Sequence, residues 1–491
     1  MKNYQSIQNA RVLDCENEVD AVIIHQTRDW SNQEFSTQSG PNRRLVDLAM
    51  GFVVGTMFAF VSAIYFGNNS SAQLHSKREL SNLNLQELAE SDEKTNPKVS
   101  LGVRPFFLVD QMPANHPLKQ RLKTCAEQIT EYKPSDFAIG HRGASLQFPE
   151  HTFRSHTAAS RMGAGIVECD VTFTKDEQLV CRHSQCDLHR TTDVLLRPDL
   201  ASKCRVPFVP SYQSAHGTHV KAKAYCCTTD FTLKEIQSLC GTMDAANEYA
   251  TNAEQYVMAD PGLPHFRTDL YSHDCPKIPT HQEYIANVNS HGGKFTPELK
   301  VPDADTPMPF SQNYTREMYA TQMIQDYIDL GIPPDRVFPQ AFDWTDLYFW
   351  AESFPAYAIQ GFALDSLDEM SVLSSRSELM DRFQPLLDNG IRTIAPAIWM
   401  LITTDENSKI VPSLYAQVAK EMGLDIVAYT LERSDSLALA PGYFYQSVAN
   451  EVTNDSDIFT VLDVLAQQVK IKGIFSDWAA TVTFYANCFG L

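Results

Sequence analysis

The chain has 491 residues, enough for one large domain or two to three small ones. Hydrophobic residues make up 43% and charged residues 20%, a globular balance that excludes wholesale disorder. A formal net charge of −20 repels a phosphate backbone, so no nucleic acid partner is expected.

Residues 1–44 are polar and lack periodicity, which predicts a flexible tail. Leu48 to Phe66 reads LAMGFVVGTMFAFVSAIYF, without a formal charge. A helix of that length spans the ~30 Å hydrocarbon core. The polar stretch ahead of it argues against a cleaved signal peptide, so residues 45–66 are expected to be a signal anchor, a single transmembrane helix. Arg43 and Arg44 flank its N-terminal side and Lys77 and Arg78 the other. The first pair predicts a cytoplasmic tail and a lumenal or extracellular main domain. The polar, acidic stretch 67–115 reads as a stalk, and Pro117 to Thr130 as a helix capping a domain that occupies 116–491.

From Phe137 onward, short apolar runs alternate with amphipathic stretches. Strands are expected at FAIGH (137–141), GIVECDVT (165–172), KFTPELKV (294–301), RVFPQAFD (336–343), YAIQGFALD (357–365), RTIAPAI (392–398), DIVAYTLE (425–432) and GIFSD (473–477). Helical patterns fill most gaps, as in EMYATQMIQDYIDLG and SELMDRFQPLLDNG. Eight strands alternating with helices predict an α/β fold, the (β/α)8 TIM barrel, rather than an open doubly wound sheet. The gap between the second and third strands is too long for one helix, and 184–293 is expected to be an inserted subdomain.

Cys15 precedes the anchor, and the ten cysteines behind it form an even set that permits disulfides in an oxidising compartment. Six of the ten lie in 184–293, so the insertion is expected to be disulfide-stapled. Cys169, inside an apolar strand pattern, reads instead as a buried free thiol. The sequons at Asn313 and Asn454 are glycosylation candidates on a lumenal domain.

Catalytic groups of a (β/α)8 enzyme gather at the C-terminal strand ends. His141 and Arg142 end the first strand, and His183 follows QLVCRH. Glu168 and Asp170 lie two apart in the second strand, as do Glu298 and Lys300 in the third. Side chains alternate along a strand, so each pair shares a face. Three carboxylates in a barrel mouth repel one another unless a cation joins them, and all-oxygen donors suit Ca²⁺ or Mg²⁺ better than Zn²⁺. Arg142 and Lys300 can grip a phosphate, and the two histidines can divide the proton work as base and acid.

The segments IGHRGASLQFPEHT, GIVECDVTFTKDEQLVCRHSQCDLHRTT and TPELK resemble the signature blocks of glycerophosphodiester phosphodiesterases. The resemblance covers about 120–491 and implies a TIM barrel with an insertion after the second strand. It implies one divalent cation on Glu168, Asp170 and Glu298, His141 and His183 as the acid–base pair, and Arg142 and Lys300 on the phosphate. The implied reaction is hydrolysis of a glycerophosphodiester to glycerol 3-phosphate and an alcohol, with no protein partner implied. His151 stands where the family usually has Asn, Ser184 where many members have Asp, and Tyr429-Thr430 where Trp-Thr is common. The competing expectations are lysophospholipase D-type hydrolysis at the anchoring membrane, a non-enzymatic tethered binding barrel and a phosphoinositide-specific phospholipase. The tethered barrel would need disrupted site positions, and the HRG and Thr-Lys-Asp blocks fit the phospholipase poorly.

Overall fold

A computed structural model describes residues 98–366 and 375–491. The expected tail and anchor, and most of the stalk, lie outside the described residues. Among the described residues, no helix is long and apolar enough to cross a membrane.

Eight parallel strands close into a barrel: β1 (Ser135–Gly140), β2 (Ala164–Phe173), β3 (Lys294–Leu299), β4 (Gln340–Ala341), β5 (Phe362–Asp365), β6 (Thr393–Pro396), β7 (Asp425–Leu431) and β8 (Gly473–Ser476). Each pairs with the next, and β8 pairs back onto β1. All eight strands expected from sequence are present. β4 is the shortest, because Pro339 has no N–H to give the ladder and only its carbonyl takes part, accepting from Phe362 N–H at 2.9 Å. β2 is buried along its whole length, including Glu168, Asp170 and Thr172, which alternate with its apolar residues.

Helices cover the outside, and their first turns are capped by their own sequence. Thr152 Oγ1 accepts from Ser155 N–H ahead of Phe153–Arg161, and Thr315 Oγ1 accepts from Met318 N–H ahead of Arg316–Asp329. A separate apolar cluster of Ile139, Ile166, Phe362, Leu364, Ala395, Val427 and Phe475 packs strand against strand. These residues mark the lumen-facing row of β1, β2, β5, β6, β7 and β8 and form a floor beneath the C-terminal mouth.

Three expectations need correction. The stalk was drawn too far: Arg104–Gln111 is a helix, and Leu101, Leu108, Val109 and Met112 are buried in the main core. Together with Pro117–Gln128 this helix packs on the last helix, Ala479–Phe489, and Cys125 is bonded to Cys488. The insertion was drawn too long: helix His281–Ser290 buries Tyr284, Ile285 and Val288 in the barrel's core and covers β2 and β3. Cys169 is not a free thiol. It is bonded to Cys181 on the short antiparallel strand Leu179–Cys181 that folds back on β2.

The insertion has a small core of its own, which includes Leu188, Val194, Phe231, Ile236 and Ile278. Its six cysteines pair among themselves as Cys186–Cys227, Cys204–Cys226 and Cys240–Cys275. A segment this poor in regular elements buries little apolar surface, and cross-links offset that by restricting the unfolded chain. The insertion also grips the loop after β3. Arg205 Nη2 donates to Thr306 Oγ1 at 2.7 Å, and Tyr225 Oη donates to Asp303 Oδ2 at 2.5 Å.

Candidate active site

The lumen-facing rows continue upward into polar residues. Two positions beyond Ile166 come Glu168 and then Asp170; beyond Ile139 comes His141; beyond Phe475 comes Asp477. The parallel register sets Asp170 beside Glu298, and Glu298 beside Gln340. One oxygen from each of Glu168, Asp170 and Glu298 falls within 4.8 Å of the others, and all three residues are buried.

The electrostatics of this trio are those of a site built for a cation. Burial, then the charges of Asp170 and Glu298, pushes the Glu168 carboxyl well above its usual range. Burial pushes Glu298 up to about 8 against the pull of Lys300, and Asp170 adds to the rise. Asp170 goes the other way: burial raises it, but Lys300, His151 and His183 outweigh burial and hold it well below the ordinary range. Asp170 and Glu298 stand side by side in the register, and two carboxylates so placed repel unless one carries a proton or a cation joins them. A shared proton or a bound cation is what such a contact needs, and Asp170 Oδ1 is buried without a hydrogen-bond donor. The donor set, three carboxylates and no sulfur or imidazole, fits a hard divalent ion.

Around the trio stand the cations. Lys300 Nζ lies 2.7 Å from Glu298 Oε1 and 3.8 Å from Asp170 Oδ1, and these carboxylates raise its pKa despite the opposing effect of burial. Arg142, in the left-handed region at φ 54°, turns its backbone N–H to Glu168 Oε2 at 2.7 Å. Its Nη1 donates to both Glu150 oxygens, at 3.1 and 3.3 Å, and its Nε lies 3.7 Å from Asp170 Oδ2.

The two histidines occupy different settings. His141 is buried and its Nδ1 lies 2.6 Å from Asp477 Oδ1, while Nε2 faces Glu168 Oε2 at 3.8 Å. Burial lowers its pKa to about 3 although Asp477 works upward, so the ring is neutral at physiological pH. Its proton then sits on Nδ1, donated to Asp477, and Nε2 carries the lone pair. His183 follows the Leu179–Cys181 strand and is half-buried, close enough to Asp170 for its positive form to act on that carboxyl.

All seven site residues expected from sequence therefore converge on one end of the barrel, and several others join them unannounced. Asp477 is the partner of His141, and Arg433 Nη1 donates to its other oxygen at 3.2 Å. Gln340 Nε2 donates to Glu168 Oε1 at 3.0 Å. Glu150 is a buried partner of Arg142 and of Arg267 from the insertion. His151, in the family's Asn position, places Nε2 2.7 Å from Asp170 Oδ2 and so supports the trio. The signal for Asp477 was available, two residues after an apolar lumen residue at the end of the eighth strand. Arg267 and Arg433 lie in irregular segments that carry no such period. On the far side of the barrel, Tyr429 stands between the rings of Phe342 and Phe444, each 6.2 Å away, and forms an aromatic wall.

The chain is similar to several known proteins. The model of the "Glycerophosphoryl diester phosphodiesterase family" matches residues 141–477. An "Extracellular protein" of Arthroderma benhamiae is 44% identical over 252 residues, 51% of this chain and 100% of its own length. A "Glycerophosphodiester phosphodiesterase" of Haemophilus influenzae is 25% identical over 375 residues, covering 72% of this chain and 90% of its own. Among solved structures, a "Putative glycerophosphoryl diester phosphodiesterase" from Silicibacter pomeroyi is similar at 16% identity and a TM-score of 0.45, covering 72% of this chain and 96% of its own. The family match begins at His141 and ends at Asp477, the two residues hydrogen-bonded at the barrel's closing seam, and spans well over half of the sequence. The chain belongs to the glycerophosphoryl diester phosphodiesterase family and is an enzyme, a phosphoric diester hydrolase.

Proposed function

We propose that the enzyme hydrolyses glycerophosphodiesters to glycerol 3-phosphate and an alcohol, with His141 as general base and His183 as general acid. The observation that carries the base assignment is the Asp477–His141 hydrogen bond. It fixes the proton on Nδ1 and leaves a neutral Nε2 facing the carboxylate trio. A base must be unprotonated and held in one orientation, and this ring is both. Of the other two imidazoles at the site, His151 is fully buried against Asp170, whereas His183 is half-buried and can be reprotonated from solvent after each turnover. Arg142 and Lys300 bind the phosphoryl oxygens.

A divalent ion, Ca²⁺ or Mg²⁺, would be held by Glu168, Asp170 and Glu298. It would supply charge stabilisation to the phosphoryl group. Glu168 would be fixed for that purpose by Gln340 and by the Arg142 N–H, and Asp170 by His151.

The substrate reading favours a soluble diester over a lysophospholipid, since the insertion lies beside the mouth on the β2–β3 side. The full chain is expected to turn over a soluble glycerophosphodiester faster than a micellar lysophospholipid at equal concentration. A faster rate on the lysophospholipid would favour lysophospholipase D-type activity at the anchoring membrane instead.

The same domain is proposed to face the lumen or the exterior behind an anchor at 45–66. Five disulfides support this, as does the 44% identity to a protein described as extracellular. Asn313 is exposed in a turn just before Thr315 and is expected to carry a glycan in protein made through the secretory route. Peptide mass mapping checks it: an unmodified Asn313, together with free labelling of the domain's cysteines in the native protein, contradicts the compartment.

A further inference from the structure

One side chain of the insertion, Arg267, reaches the proposed catalytic groups. Its segment from Phe266 to Lys277 runs along the loop that follows β1. Thr268 N–H donates to the Leu146 carbonyl at 3.2 Å, and the rings of Tyr271 and Phe148 stack 4.4 Å apart. Arg154 donates to the His273 carbonyl at 2.6 Å, and the Cys240–Cys275 disulfide pins the segment's far end. Arg267 is thereby pushed into the barrel mouth, where its side chain is 2% exposed, too enclosed to meet a substrate directly.

Its Nη2 sits between two carboxylates, 3.3 Å from Glu150 Oε2 and 3.6 Å from Asp477 Oδ2. Each carboxylate has a second partner in the proposed catalytic set. Asp477 accepts from His141, and Glu150 accepts from Arg142. We propose that Arg267 is a positioning residue through which the disulfide-stapled insertion orders the active site, acting on His141 by way of Asp477 and on Arg142 by way of Glu150. This rests on the acid–base reading of His141.

The physical reasoning is charge balance in a dry site. A carboxylate pinned at one oxygen cannot rotate, so Asp477 keeps its other oxygen aimed at Nδ1 of His141. Arg433 pins Oδ2 from one side and Arg267 from the other. Without Arg267, two buried carboxylates on the same side of the mouth lose the cation they share, and their repulsion is poorly screened at low dielectric. Asp477 and Glu150 would then move apart and carry His141 and Arg142 with them. Nη2 makes no well-directed hydrogen bond to either carboxylate, so it acts chiefly as a charge. A lysine at this position should therefore retain part of the effect.

Steady-state kinetics on the full chain, with a soluble glycerophosphodiester, test this. Arg267→Met is expected to lower kcat by about 10–10²-fold with little change in KM, the scale of a catalytic group displaced by about 1 Å. Arg267→Lys should recover a substantial part of the loss. In an Asp477→Asn background, Arg267→Met should cost less than in the wild type, because only the branch through Glu150 remains. A wild-type kcat in Arg267→Met, or the same fold-loss in both backgrounds, would overturn the proposal. If Arg267→Met fails to fold, Arg267→Lys alone and on Asp477→Asn carries the same comparison. His141→Ala separates the two readings. If it remains active, the acid–base assignment fails and this inference with it; if it is inactive while Arg267→Met is unimpaired, only this inference fails.

Discussion

Replacing His141 by alanine is expected to lower kcat by at least ~10²-fold, and so is replacing His183, each removing one proton transfer of the displacement. The two losses should differ in kind. In the proposed mechanism a neutral His141, held by Asp477, takes the proton from the attacking oxygen, and His183 gives a proton to the departing alkoxide. A substrate that leaves as a nitrophenolate needs no such proton, so it should largely restore His183→Ala and leave His141→Ala impaired. Folding and divalent-ion content should change little in either variant, since neither ring is among the three clustered carboxylates. If neither variant is selectively rescued and both lose the ion, the histidines are ligands or supports and the assignment fails. Asp477→Asn should mimic His141→Ala in part, because an amide no longer selects the Nδ1–H tautomer.

Complete chelation is expected to abolish turnover, and Ca²⁺ or Mg²⁺ to restore it. Glu168 and Glu298 are both held above the ordinary carboxylate range, first by burial and then by neighbouring charge. A bound cation would remove that repulsion. His151→Ala should weaken the ion's apparent affinity by about 10–100-fold with a smaller effect on kcat at saturating ion, because its ring supports Asp170 rather than the substrate. Undiminished activity in fully chelated enzyme would remove the metal from the account. An unchanged ion affinity in His151→Ala would reduce that residue to a packing role.

What the sequence disclosed follows from periodicity. Glu168 with Asp170, and Glu298 with Lys300, share a face because strand side chains alternate, and the register sets Asp170 level with Glu298. The eight strands were legible for the same reason, being apolar runs bounded by turn residues. The contacts that were not legible depend on chain segments far apart in sequence. Asp477 meets His141 across 336 positions, and only closure of the barrel brings them together. Arg267 reaches Glu150 from an insertion whose irregular backbone has no period to read. Cys169 was misread because a strand buried along its length looks the same whether its thiol is free or bonded, and the partner Cys181 is defined only once the hairpin forms. The helix Arg104–Gln111 is only eight residues long, and its docking through Leu108, Val109 and Phe106, the last against Phe484, depends on a partner helix far along the chain.

The most direct test of the central claim is the identity of the phosphorus-containing product. The purified full chain, incubated with sn-glycero-3-phosphocholine and a divalent cation, should release glycerol 3-phosphate and choline in equal amounts, and His141→Ala should release neither. Release of phosphocholine and glycerol, or no glycerol 3-phosphate from folded, metal-loaded enzyme, would contradict it.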